Sequence, residues 1–598
     1  MAGFITRPVV MGRRGVVTSG HYLATAAGFR IMEQGGNAID AAAAMCFCLN
    51  LLEPQSNGIG GEVPTLIYSA SEGKTYEISG MGWSAAAFTV DWCRENGIDL
   101  VPGDGYLPAC VPATVGTWAA ALIRFGTMTF AQVLQPAIEL AEEGFAMYGG
   151  LATSLAANQK KYTELYPSTG EVYLPNGRPP VEGDLFRNPD WGTMLRMICR
   201  GEEAASGGRE EGILAGRDVF YKGEIADRIV EFMRDNPVLD ASGSEHAGLL
   251  TLEDMAGWEA RIEAPASYNY RGLEVHKCSS WTQGPVFLQQ LALLECYNLV
   301  AMGHNSADYL HTLIEVAKLA FADREAYYGD PLFDEVPFAD LVSRDYSRER
   351  MQLIDQTASR DLRPGQAGGG VPDCILDDVA ADNRRALDVA ARAVKDLGQG
   401  HAHIGDTTHL DAVDAQGNMV AATPSGGWLG TSPVIRGLGF PMGTRGQMFY
   451  LNPERPNALQ PHKRPRATLT PTLVTRGGEP YMVFGTPGGD SQDQWTLQFF
   501  LNVVDFGMNL QEALDAPTVH SEHFPSSFYP RRGFPAQVAA EERLPAEVLS
   551  ELERRGHQIV KKEGWSHGKV LGIRRDSDRG LIHGAAAAKN NIGYALGW

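Results

Sequence analysis

The stretch Gly405-Asp406-Thr407-Thr408-His409 sets hydroxyl side chains at the start of a strand pattern, just after a long polar, Gly-rich segment. A threonine hydroxyl is a poor nucleophile alone and needs an adjacent base. Cleavage before Thr407 would free an α-amine with a pKa of roughly 7.7–8.0, which supplies that base within the same residue. The expected chemistry is self-cleavage at Asp406–Thr407, then attack of the new N-terminal threonine on a substrate amide. The residues that follow read as a hairpin. Leu410, Ala412 and Val413 run in, residues 415–418 turn, and Met419, Val420 and Ala421 run back out. Threonine pairs are common at strand starts because the branched side chain suits a pleated surface. The weight therefore comes from the rest of the chain.

Other motifs stand in fixed order around this hairpin. Gln34-Gly35-Gly36-Asn37-Ala38-Ile39-Asp40-Ala41-Ala42 and Gly58-Ile59-Gly60-Gly61 precede it. Thr423-Pro424-Ser425-Gly426-Gly427, Lys463-Arg464-Pro465, Thr470-Pro471-Thr472 and Gly485-Thr486-Pro487-Gly488-Gly489-Asp490 follow. Together they resemble the γ-glutamyltransferase (γ-glutamyltranspeptidase) family of N-terminal-nucleophile hydrolases, from about Gly15 to Trp598.

The resemblance implies an α+β fold, a four-layer αββα sandwich. It implies that Thr407 is the catalytic threonine and that Asp406–Thr407 is the bond cut. Ser425 matches a second hydroxyl that orients the nucleophile's amine, with Thr423 in support. Gly488 and Gly489 match the oxyanion hole, where backbone N–H groups converge on developing negative charge. A phosphate loop is excluded there because Gly-Lys-Ser/Thr is missing.

Departures from the family pattern bear on the substrate. Glutathione-cleaving members hold the glutamyl α-carboxylate with an arginine, and the corresponding stretch Gly80–Val90 has none. The acidic residue for the α-amine falls in Gly443-Thr444-Arg445-Gly446-Gln447-Met448-Phe449, with Met448 in its place and Arg445 nearby. Paired serines after Lys-Arg-Pro are replaced by Ala467 and Thr468, and an asparagine by Gly427. A zwitterionic glutamyl group would lack its charge partners, which is costly in a buried pocket. The changes resemble the amidase- and acylase-like branch. Candidate substrate contacts are Thr423, Gly427, Trp428, Arg445 and Thr468, with Arg445 the one residue able to grip a carboxylate. Expected partners are a small-molecule amide and the chain's own two cleavage products, with a dimer of such heterodimers left open. No cofactor or metal is expected. His401, His403 and His409 read as solvated or structural, and His409 shares a strand face with Thr407, where it would brace the site.

The elements that must position these residues come next. The 598 residues carry a net charge of −21, which argues against nucleic acid or an anionic membrane as partner. No apolar h-region or spanning run is seen near the start, which favours the cytoplasm. Eight scattered cysteines then read as free thiols. Helices are expected at 21–34, 38–52, 114–125, 129–144, 151–165, 189–200, 223–233 and 305–327, and the mostly apolar run 286–302 reads as buried. Strands are expected at 66–69 and 75–79. Residues 355–406 read as an exposed flexible connector holding a charged helical piece. Beyond Thr407 strands dominate, with helices near 495–504 and 541–555. The precursor would thus divide into a 1–406 large subunit and a 407–598 small subunit, interlaced in one αββα unit. Two alternatives stay open: a true glutathione hydrolase with a rebuilt glutamyl pocket, and an unprocessed binding homologue.

Overall fold

The computed structural model describes residues 5–368, 370–396, 406–589 and 592–598. Its centre is two stacked seven-stranded sheets. One runs in the order Tyr594–Gly597, Gly15–Ser19, Leu410–Asp414, Met419–Ala422, Thr65–Ser69, Lys74–Ile78 and Ile262–Glu263. The other runs Val10–Gly12, Leu581–Ala586, Leu571–Asp576, Glu479–Gly485, Thr472–Arg476, Leu273–Lys277 and Ala266–Tyr270. Every pairing within these two sheets is antiparallel.

Side-chain alternation sorts each strand between two cores. Leu410, Ala412, Val420 and Ala422 belong to the helix-side core. Val413, Met419 and Ala421 meet Leu473, Val483 and Ile573 of the other sheet. Helices Tyr22–Glu33 and Ala38–Leu52 cover the first sheet's outer face. Pro285–Leu294 and Gln492–Val504 cover the second. The α+β, four-layer αββα expectation therefore holds.

Local chemistry explains the elements nearest the hairpin. Asn37 caps Ala38–Leu52 in a capping box with Asp40. The Asp414 carboxylate accepts from Ala38 N–H at 3.1 Å and from Asn418 N–H at 2.9 Å. One acid thus closes the hairpin turn and places negative charge at the helix N-terminus. The hairpin register is Leu410↔Ala422 through Val413↔Met419, as the sequence pattern predicts.

Several expectations need correcting. The helix predicted over 151–165 breaks at Asn158 into Gly149–Ala157 and Gln159–Glu164. The apolar run expected to be buried over 286–302 is buried through Leu294, but Cys296 and Val300 beyond it are exposed. Of 541–555, only Ala546–Arg554 is helical, and Glu541 closes a strand begun at Gln537. The connector is not merely exposed. Ile375 and Ala386 of helix Ile375–Asp396 are fully buried, and Asp382 pairs with Arg455 at 3.3 Å. Its short side chains and charge masked that packing. His401 and His403 lie outside the described residues. All eight cysteines are unpaired thiols, six of them buried. No described helix is long and apolar enough to cross a membrane.

The two sheets touch closely where Gly485 faces the His409 ring, and a β-carbon at 485 would run into that ring. Because His409 is fixed by two hydrogen bonds, it cannot yield cheaply. Gly485→Ala is expected to cost about 1–3 kcal/mol, the scale of overpacking in a close-packed core. Chemical denaturation of the variant against wild type measures it, and an unchanged midpoint would contradict this contact.

Candidate active site

Thr407 and Ser425 form a bridge at the open end of the hairpin, three residues beyond its outermost ladder pair, Leu410↔Ala422. Both are buried, and their hydroxyl oxygens are 3.1 Å apart. The carbonyl of Asp406 lies between two donors. Ser425 Oγ donates to it at 3.0 Å, and the indole Nε1–H of Trp428 donates at 2.7 Å. The same indole hydrogen is shared with the Ser56 carbonyl at 2.9 Å. The Asp406 side chain is held too. It accepts Thr407 N–H at 2.9 Å and Ser56 Oγ at 3.0 Å.

The turn that carries Ser425 is locked by a second glycine motif. Gly426 and Gly427 sit at φ +70° and +59°, the left-handed region that glycine adopts without strain. Gly61 packs so closely on the Ser425 carbonyl that no side chain fits, and Gly58 does the same against Gly427. Ser425 N–H donates to the Glu62 carbonyl at 2.9 Å, and Glu62 N–H returns to the Ser425 carbonyl at 2.9 Å. The Gly58–Gly61 motif and the Thr423–Gly427 motif are thus two halves of one interlock.

Arg445 enters this interlock from below. It is fully buried and ion-paired with Glu62, its Nε donating to Oε1 at 2.6 Å. Burial pushes the Glu62 carboxyl up, while the adjacent guanidinium opposes that. Arg445 Nη2 also donates to Ser425 Oγ at 2.7 Å, and the guanidinium lies 4.6 Å from the Trp428 ring centroid. Arg445 is therefore brought to the site with its charge already matched. An Arg445 donor fills one lone pair of Ser425, so the serine's own hydrogen is directed outward.

His409 lies on the strand face of Thr407, as its spacing predicts. Its ring bridges Thr423 Oγ1 at 3.0 Å and Asp411 Oδ1 at 2.8 Å, and Asp411 also accepts from Thr18 Oγ1 at 3.0 Å. Burial raises the Asp411 carboxyl, with His409 pulling the other way. This chain fixes the strand without touching Thr407. Gly488 and Gly489 both have positive φ, +125° and +54°. Neither N–H finds an acceptor among the described residues. Gly489 abuts Phe528, which packs with Trp428 and Met448. Thr468 is buried with Oγ1 unpartnered among the described residues.

Glu53, Ser56, Glu62 and Asp411 are the polar residues at this site that motif reading passed over. Glu53 ends the helix Ala38–Leu52, beside Thr408 and Asp406. Burial raises its carboxyl to about 7, with the nearby Asp406 adding to the rise against a hydrogen bond from Thr408. Glu53, Ser56 and Glu62 flank Gly58–Gly61 in the sequence. Three polar residues around a glycine motif that must reach the threonine were the available signal. Away from the site, His311, Glu315 and His557 come within metal-ligand reach of one another. Glu315 is already paired with Lys318 and Arg363, so this group does not fit a cation site well.

Comparison with known proteins is consistent with this geometry. The family model described as gamma-glutamyltranspeptidase matches residues 24–596. The glutathione hydrolase proenzyme of Pseudomonas sp. (strain A14) is 30% identical, covering 98% of this chain and 95% of that protein. The solved structure of LmbA2991HD superposes with a TM-score of 0.91 at 41% identity, over all of both chains. The cephalosporin acylase of Bacillus halodurans gives a TM-score of 0.82 at 29% identity, covering 100% of this chain and 98% of that one.

Glu53 yields a pH prediction. Its folded pKa lies above the unfolded carboxylate value, so between about 4.5 and 7 the folded state holds a proton that the unfolded state has released. Stability therefore falls as pH rises through that window, by a few kcal/mol in order of magnitude. Glu53→Gln should remove this share and flatten the fall in melting temperature over that range. Parallel melting curves for the two proteins would contradict a buried, protonated Glu53.

Proposed function

The chain belongs to the gamma-glutamyltranspeptidase family of N-terminal-nucleophile amidohydrolases, and from that premise we propose that it is a self-processing amide hydrolase or acyltransferase with Thr407 as nucleophile. Cleavage at Asp406–Thr407 gives a 1–406 large subunit and a 407–598 small subunit that remain associated. In the mature enzyme the Thr407 hydroxyl attacks a substrate amide and its α-amine takes the proton. Gly488 and Gly489 N–H groups stabilise the oxyanion. Ser425, oriented by Arg445, holds the threonine head group. Water or an amine then resolves the acyl-enzyme.

The observation that carries this reading is the pairing of Thr407 Oγ1 with Ser425 Oγ beside the Asp406 carbonyl. It gathers a nucleophile, a hydroxyl partner and the bond to be broken in one buried cluster. An unprocessed binding protein has no use for such a cluster. N-terminal sequencing of the smaller fragment of purified protein should begin at Thr407. Thr407→Ala should abolish both cleavage and turnover, because both use one hydroxyl. A wild-type chain that is active while remaining uncut would overturn the proposal.

The preferred substrates are amides without a zwitterionic glutamyl head. Gly80–Val90 offers no arginine. Arg445, the remaining candidate, is neutralised by Glu62 and committed to Ser425. That commitment weighs against a rebuilt glutamyl pocket. Burying a charged substrate group without its partner costs roughly 3–5 kcal/mol, a discrimination of about 10²–10⁴-fold. Glutathione should accordingly show a kcat/KM lower by about that factor than the best amide in a panel of simple acyl amides. Glutathione as the best substrate of that panel would restore the glutamyl reading.

A further inference from the structure

The proposed maturation step needs electrophilic help that Gly488 and Gly489 are not seen to give. An amide carbonyl is a poor electrophile, and attack by the Thr407 hydroxyl puts negative charge on the Asp406 oxygen. Such charge must be met by donors already in place. The donors on that oxygen are Ser425 Oγ at 3.0 Å and Trp428 Nε1 at 2.7 Å. No described hydrogen bond joins Gly488 or Gly489 to it.

We propose that the Trp428 indole N–H, together with the Ser425 hydroxyl, forms a separate oxyanion hole that serves self-cleavage of the chain. The proposal rests on the reading that Thr407 cuts its own preceding bond. Trp428 is a catalytic residue in the strict sense, since its hydrogen touches a reacting atom.

Several features suit the indole to this task. It is fully buried, so its hydrogen bond is not diluted by water. Its ring is wedged against Met448 and Phe528 and lies beside the Arg445 guanidinium, which fixes its direction. An indole N–H donates and never accepts, so it cannot turn a lone pair on the carbonyl. It also divides its hydrogen between the Ser56 and Asp406 carbonyls. As charge develops on Asp406, the shared hydrogen shifts toward the stronger acceptor. The interaction is therefore tighter in the transition state than in the resting chain, which is the condition for acceleration.

The step balances as follows. The Thr407 Oγ1–carbon bond to Asp406 forms as the hydroxyl proton leaves, and charge on the carbonyl oxygen is held by Trp428 and Ser425. The carbon–nitrogen bond then breaks, and the proton arrives on the released α-amine of Thr407. Water hydrolyses the resulting ester, giving the Asp406 carboxylate and restoring the Thr407 hydroxyl.

The test is the rate of self-cleavage in Trp428→Phe, which keeps an aromatic ring and deletes the donor. Cleavage is followed by denaturing gel from freshly synthesised full-length chain, with Thr407→Ala alongside. Loss of one oxyanion donor costs roughly 10²–10³ in rate, so Trp428→Phe should cut about 100-fold more slowly at the same bond. Trp428→Phe that cuts as fast as wild type, while Thr407→Ala stays intact, would overturn the assignment to Trp428 alone. Cutting of Thr407→Ala at the wild-type rate would instead overturn the reading of Thr407. Should Trp428→Phe fail to fold, the Thr407→Ala chain decides the matter with ¹⁵N-indole labelling. The Trp428 indole proton should resonate downfield in that uncut chain and move upfield in the mature wild-type protein. An unchanged resonance would overturn the proposal.

Discussion

A buried guanidinium cannot stand alone, and the arrangement around Thr407 follows from how Arg445 is satisfied. Removing one partner of a buried ion pair typically costs 3–5 kcal/mol, because the remaining charge is left without water or counter-ion. Here the partner is Glu62, and reaching it brings the Gly58–Gly61 loop against the Ser425–Gly427 turn. The remaining Arg445 donor goes to Ser425, and its face lies beside Trp428. One cation thus fixes the hydroxyl and the indole that converge on the Asp406 carbonyl. Its neutralisation has a second consequence. A charge spent on holding the site together is not free to recognise a substrate carboxylate.

The sheets show why a cut at residue 406 need not dismantle the fold. Leu410–Asp414 pairs with Gly15–Ser19, and Met419–Ala422 pairs with Thr65–Ser69. In the second sheet Leu581–Ala586 pairs with Val10–Gly12, and Leu273–Lys277 pairs with Thr472–Arg476. Each layer contains strands from both sides of the bond. Separating the pieces would break backbone ladders in both sheets and expose the core between them, a far larger loss than one peptide bond's chain connectivity.

Much of this was legible in the sequence where a local rule and the fold agree. The hairpin after Thr407 was readable because alternation and the Gly417 turn specify register directly. The helix 38–52 was readable from its Ala-rich, mostly apolar sequence. The placement of His409 followed from strand periodicity alone. What remained hidden depends on distant contacts. Glu62 and Arg445 are 383 residues apart, and nothing local marks them as a pair. Glu53 looks like an ordinary helix-end acid until burial suppresses its ionisation. Trp428 reads as a substrate-pocket candidate, and only its position relative to Asp406 reveals what its N–H meets. The connector helix was misjudged because Ala and Asp carry little apolar signal, yet Ala386 and Asp382 are buried.

The claim on which the account turns is that the Thr407 hydroxyl is the group that becomes acylated. Peptide mass spectrometry of the acid-quenched enzyme, taken during turnover of a slow amide substrate, tests it most directly. Trypsin should release Thr407–Arg436 as the N-terminal peptide of the smaller fragment. The account predicts that this peptide carries the mass of the acyl group, located at Thr407 and lost on standing in neutral buffer. Accumulation of the acyl group on another residue, with Thr407 unmodified, would contradict it.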